Sequence, residues 1–175
     1  MAMTAYIALL RAVNVGGTGK LPMAELKAMC EEIGFAHVTT YIASGNVVFT
    51  SSAAERSVKA KLEEALTAYA GKHVGVMVRT AAEMAAVAKA NPFSREAGNR
   101  VVAIFLDNKP PADAVSAATG ATDEKLAAGV REIYVHYGEG MAHSKLKIPT
   151  AKNGTARNMN TVVKLVEMAA ELDAG

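Results

Sequence analysis

Two apolar runs, Ala5–Leu10 and Val101–Leu106, constrain this chain more than any other feature, because each opens a string of elements in the same order. Runs that short and that continuously apolar read as strands buried on both faces. After the first run, Leu26, Met29, Cys30 and Ile33 share one helical face, with Pro22 at the start of the helix and Gly34 at its end. His37–Ile42 and Val47–Thr50 read as strands joined by the turn Ser44-Gly45-Asn46. Ser52 and Glu55 have the spacing of a capping box. The stripe Val58, Leu62, Ala65, Leu66 and Tyr69 follows, Gly71 closes it, and Val74–Val78 is a fourth strand. The order is β-α-β-β-α-β.

A connecting helix follows, with Thr80 and Glu83 as a second capping box, and Asn91-Pro92 stops it. From Val101 the order restarts. Pro110-Pro111 opens a short helix running to about Ala118, and Asp123–Ala128 and Arg131–Tyr137 form a hairpin turning near Gly129. Met141–Lys147 is a second short helix ended by Pro149, and Thr155–Asn158 is a strand. Asn158 or Asn160 caps a final helix whose face carries Val162, Val163, Val166 and Ala169. The expected fold is therefore α+β: two tandem ferredoxin-like β-α-β-β-α-β units with a C-terminal helix. The expected divisions are 1–80, 81–98 for the connecting helix and loop, and 99–175. Halves of this size are marginal alone, so they are expected to pack together.

Hydrophobic residues make up 51% of the 175 residues and charged residues 21%, which is the composition of a folded chain. The net charge of +2 does not by itself point to nucleic acid. Its distribution is more telling. Met1–Ala24 holds Arg11 and Lys20 with no acid, and Met141–Val166 holds Lys145, Lys147, Lys152, Arg157 and Lys164 with no acid. The ends of the chain thus suggest an anion-facing side, while the middle carries the compensating acids. One cysteine, Cys30, excludes an internal disulfide and a cysteine-based metal cluster. There is no apolar run of membrane-spanning length and no signal-peptide pattern, so a cytoplasmic protein without membrane contact is expected.

Three stretches could carry chemistry. Val15-Gly16-Gly17-Thr18-Gly19-Lys20 suggests a phosphate loop, but Asn14 stands where the leading glycine belongs and Leu21 where the magnesium-binding hydroxyl belongs. That excludes a P-loop nucleoside triphosphatase and leaves a glycine-rich turn whose N–H groups, with Arg11, Asn14 and Lys20, suit an anion. Ser44-Gly45-Asn46 is ordinary turn chemistry, and Ile42–Asn46 lacks the G-x-S-x-G form of a nucleophile elbow. The third stretch is Thr155–Thr161, in which Arg157 offers a planar donor fork and Asn158 and Asn160 can cap a helix or touch a ligand. His37, His73, His136 and His143 have no partner at metal-ligand spacing, so no metal and no cofactor are expected, and each reads as a surface or strand residue.

Leu9–Gly17, Met23–Leu26, Tyr41–Phe49 and Thr155–Val162 with Lys164-Leu165 together resemble the bacterial family known as domain of unknown function 1697. The resemblance spans nearly the whole chain and implies a cytoplasmic α+β protein with a duplicated ferredoxin-like arrangement. It brings no activity, substrate or cofactor with it. Ala12, Ala43 and Met159 stand where that family typically has Gly, Gln and Trp. A methionine can fill a core but offers no ring for stacking.

The function expected is a soluble binding module for an anionic ligand: a phosphorylated metabolite, a nucleotide or single-stranded nucleic acid. The expected contacts are Arg11, Asn14, Gly16, Gly17, Lys20, Ser44, Asn46, Arg157, Asn158 and Asn160. That expectation needs the two ends of the chain to meet in space. The alternatives are an enzyme on a phosphorylated small molecule, with His143, Ser44 or Glu25 as the base, and a homodimeric interaction module built on a sheet edge or face.

Overall fold

A computed structural model describes residues 3–11, 21–138 and 144–174, the side chains of 173 and 174 excepted. The chain is a mixed α/β protein with two four-stranded antiparallel sheets and, among the described residues, four α-helices. The elements are β1 (Thr4–Leu10), α1 (Met23–Ile33), β2 (Ala36–Tyr41), β3 (Asn46–Ser51), α2 (Glu55–Ala70), β4 (Val76–Thr80), α3 (Ala81–Lys89), β5 (Val101–Phe105), β6 (Lys125–Ala128), β7 (Glu132–His136), β8 (Thr155–Asn158) and α4 (Met159–Ala174). Two compact units result. One comprises Met1–Ala85 with Leu165–Gly175, and the other Ala86–Lys164.

In the first unit the sheet order is β2-β3-β1-β4, with β1 antiparallel to both its neighbours. β1 is central and six of its seven residues are buried, as a doubly covered strand requires. Its alternation sends Tyr6, Ala8 and Leu10 into a core with Val47, Phe49, Val76 and Val78, against which Leu26 and Cys30 of α1 and Val58, Leu62 and Leu66 of α2 pack. Ile7, Leu9, Val48, Met77 and Arg79 belong to the opposite face, and they too are buried. Both helices end on glycines in the left-handed conformation, Gly34 (φ 109) and Gly71 (φ 72), where a β-carbon would be strained.

The thiol of Cys30 is fully buried, and burial, reinforced by Glu31, pushes its pKa from 9.0 up to about 12. In the unfolded chain that thiol ionises near its ordinary value. Above pH 9 the unfolded state has therefore lost a proton that the native state keeps, and stability falls as pH rises from about 9 to about 12. Urea unfolding at pH 8 and pH 10 is expected to show a loss of about 1 kcal/mol from this group, and the Cys30→Ala protein is expected to lack that share of the slope.

The free edge of β4 is closed by side chains. Val76 donates its N–H to Glu63 Oε2 at 3.0 Å and accepts from Lys59 Nζ, both from α2. Arg79 Nη1 donates to the carbonyl of Val78 at 3.0 Å, and Thr80 donates its N–H to Glu83 at 2.9 Å. Such closure removes the unpaired row of groups that makes an edge strand adhesive.

In the second unit the order is β6-β7-β5-β8, the same arrangement with every strand number raised by four. Val102, Ile104, Ile133 and Val135 form one buried face with Leu106 and Ala114, and Leu126, Tyr137, Leu146, Ile148 and Ala151 pack against it. On the other face, Tyr134 donates its hydroxyl to the carbonyl of Val87 at 2.7 Å. Arg157 on β8 donates to the carbonyl of Ala156, as Arg79 on β4 does to that of Val78.

Several sequence expectations are corrected. The helix expected from Pro110 to Ala118 is a run of hydrogen-bonded turns at 112–117. The helix expected at Met141–Lys147 is not formed at 144–147, and its residues 141–143 lie outside the described residues. Thr119 and Lys147 exchange both backbone hydrogen bonds, at 2.9 and 2.8 Å, which holds the chain extended at the end of each segment. Runs this short cannot nucleate a helix against such a constraint. A 3-10 turn, Pro149–Asn153, follows in place of the helix. The Ser52–Glu55 capping box is also absent. Ser51 Oγ accepts from Ala53 N–H at 3.1 Å and Tyr6 donates its hydroxyl to Ala53 O at 2.7 Å, so α2 begins only after Ala54. The Thr80–Glu83 box is formed in both directions, at 2.9 and 3.1 Å.

Candidate functional site

The sheet topology of the first unit brings three segments to one end: the exit of β1, the β2–β3 turn and the entry to β4. Leu9 pairs with Asn46, and Leu10 donates its N–H to Gly45 O at 2.8 Å. On the other side of β1, Leu10 pairs with Val76 and Arg11 donates its N–H to Gly75 O at 2.9 Å. Arg11 is exposed. Gly75 lies between its aliphatic stem and the His73 ring, since a β-carbon on Gly75 would sit 3.8 Å from Arg11 Cβ and Cδ and 4.0 Å from His73 Nε2. The result is the stem of an exposed arginine and an exposed imidazole beside a residue with no side chain, followed in sequence by Val76, whose outer edge is closed. This arrangement can accept a planar or tetrahedral anion.

The β2–β3 turn is fixed from below. Asn46 is fully buried, and its amide donates to Tyr41 O and Ser44 Oγ, both at 2.9 Å. Gly45 takes φ 91 and Ile42 takes φ 50, and Gly45 N–H donates to Ile42 O at 3.4 Å. A β-branched residue in the left-handed region costs about 1–3 kcal/mol, so the surrounding bonds must over-determine it. Ile42 is also 49% exposed. Asn46 thus has a structural task, holding the turn that presents Ile42, Ala43 and Ser44. Ser44 Oγ accepts from an amide, a partner that cannot take its proton. Glu25, the other candidate base among the described residues, is exposed in the first turn of α1. Asn14, Gly16, Gly17, Lys20 and His143 lie outside the described residues.

The other candidates belong to the second unit. Arg157 is buried, and its Nη1 donates to Thr155 Oγ1 at 2.8 Å and to Ala156 O at 2.9 Å. Burial lowers its pKa from 12.5 to about 10, the direction expected when a cation is withdrawn from water. Asn158 caps α4, accepting from Thr161 N–H at 2.9 Å. Asn160 is exposed and its side chain lies against Gly98, leaving no room there for a β-carbon. Met159 is 4% exposed and fills core space. Lys145, Lys147, Lys152 and Lys164 are exposed. The structure therefore brings Arg11, Ser44 and Asn46 together in one unit and places Arg157, Asn158 and Asn160 in the other.

His73 is the member of this end that sequence reasoning set aside. Its place depends on the Leu10–Val76 register, which joins segments more than sixty residues apart, and no local spacing carries that information. Among the described residues, no group of three or more His, Cys, Asp or Glu is placed to hold a metal ion, and no helix is long and apolar enough to cross a membrane.

The family model described as "Protein of unknown function (DUF1697)" matches residues 3–134. Among solved structures, the conserved bacterial protein SP0830 from Streptococcus pneumoniae is similar at 27% identity, with a TM-score of 0.79, over 96% of this chain and 99% of that one. No curated protein matches.

Proposed function

The chain belongs to the DUF1697 family, and from that footing we propose that it is a binding module for an anionic ligand (a phosphorylated metabolite, a nucleotide or single-stranded nucleic acid) held at the Arg11 end of the first sheet. The observation that carries this reading is the pairing of exposed Arg11 with His73 across the bare backbone of Gly75. Two donors of that kind, one at the exit of buried β1 and one just before β4, suit an anion. Asn14, Gly16, Gly17 and Lys20, which follow Arg11 in the sequence, are the further contacts proposed for that ligand. In this reading Arg157 is a structural cation. The two sheets are read as a duplicated ferredoxin-like unit, supported by their matching strand orders and by the matching arginines of β4 and β8.

Isothermal titration with inorganic phosphate tests this reading. Arg11→Ala is expected to weaken binding about tenfold or more, the size of a lost charge-assisted hydrogen bond. As an exposed residue, Arg11 is expected to leave the melting temperature within about 2 °C on truncation. Equal affinity in the two proteins would contradict the reading.

A further inference from the structure

We propose that Ile42 is the apolar contact for the ligand whose anionic group sits at Arg11, and that the ligand is accordingly a nucleoside phosphate; this rests on the anion-binding reading above. Among the described residues, His37 and Ile42 are the non-glycine residues with positive φ. His37 sits where the β2–β3 register shifts between Ala36 and Thr39, a bulge that accounts for its backbone. Ile42 begins the β2–β3 turn, which the hydrogen bond from Gly45 N–H to Ile42 O closes. It occupies a turn position where glycine or asparagine would be unstrained, yet it presents a branched apolar side chain that is 49% exposed. The buried amide of Asn46 and the Leu10–Gly45 hydrogen bond hold that turn in place. The positive φ sets Ile42 apart from the other exposed apolar residues, and it is this side chain, held at the end of the sheet that carries Arg11, that we assign to the ligand.

The spacing selects the ligand. Arg11 and Gly75 lie at the β1–β4 pair, while Ile42 lies in the turn joining β2 and β3, so the two contacts are about two strand spacings, roughly 10 Å, apart. A phosphate joined through a sugar to a flat base spans that distance, with the phosphate on the guanidinium and one face of the base on the isoleucine. A bare phosphate or a short sugar phosphate would leave Ile42 in water.

The test compares AMP with ribose 5-phosphate, which differ only in the base, by isothermal titration. The native protein is expected to bind AMP about tenfold more tightly, the gain from covering a partly exposed aliphatic side chain. Ile42→Gly is expected to bring that ratio near one without changing the ribose 5-phosphate affinity, and Ile42→Met to keep most of it. Because glycine adopts φ 50 without strain, Ile42→Gly is expected to melt no lower than the native protein. A native ratio near one, or a ratio unchanged in Ile42→Gly, overturns the role of Ile42. Arg11→Ala separates the two levels: it is expected to weaken both ligands alike, and an unchanged ribose 5-phosphate affinity overturns the anion site itself.

Discussion

Arg157→Ala is expected to lower the unfolding free energy by about 3 kcal/mol and to leave phosphate affinity unchanged. The guanidinium is buried on β8 and satisfies both the Thr155 hydroxyl and the Ala156 carbonyl. Truncation removes those donors and opens a void where the stem lay, two costs that add. Arg157→Met separates them: it keeps most of the volume while losing the donors, and its expected cost is about 1 kcal/mol. Urea midpoints of the three proteins, with phosphate titrations on each, check the prediction. A stable Arg157→Ala protein with weakened phosphate binding would make Arg157 a ligand contact.

Phe49→Ala is expected to cost about 4 kcal/mol, a large share of the stability of a chain this size. Phe49 is fully buried on β3, stacked on Phe35 with ring centroids 4.2 Å apart and planes 6° apart, and tilted against Tyr6 at 6.0 Å. In a chain with 5% aromatic residues, this cluster concentrates the aromatic area of the first core. The loss should appear as a lower urea midpoint with little change in slope. The Phe49→Leu protein should recover more than half of it, because volume rather than ring chemistry dominates the burial. A loss under about 1 kcal/mol would mean that the cluster is not packed as described.

Much of the framework was legible in the sequence. Thr155–Asn158 is a strand with the expected bounds, Asn158, one of the two expected candidates, is the cap, Gly34 and Gly71 end their helices, and Cys30 faces the core. Each of these depends on residues a few positions apart. The expectations that failed depended on distant partners. The turn at 112–117 is set by Thr119 meeting Lys147, and the late start of α2 by Tyr6 reaching Ala53. The candidate site divides the same way. Arg11 stands out as the first polar residue after an apolar strand, whereas His73 joins it only through the register of β1 with β4. Arg157 reads as an anion contact because charge is visible in a sequence and burial on an edge strand is not.

Amide chemical-shift mapping during titration with inorganic phosphate shows where on the protein an anion sits. Saturable shifts are expected at Arg11, Ser44–Asn46 and His73–Gly75, with little change at Lys145, Lys147 and Lys152. Shifts centred on those lysines, or no saturable shift at the Arg11 end, would contradict the proposed site.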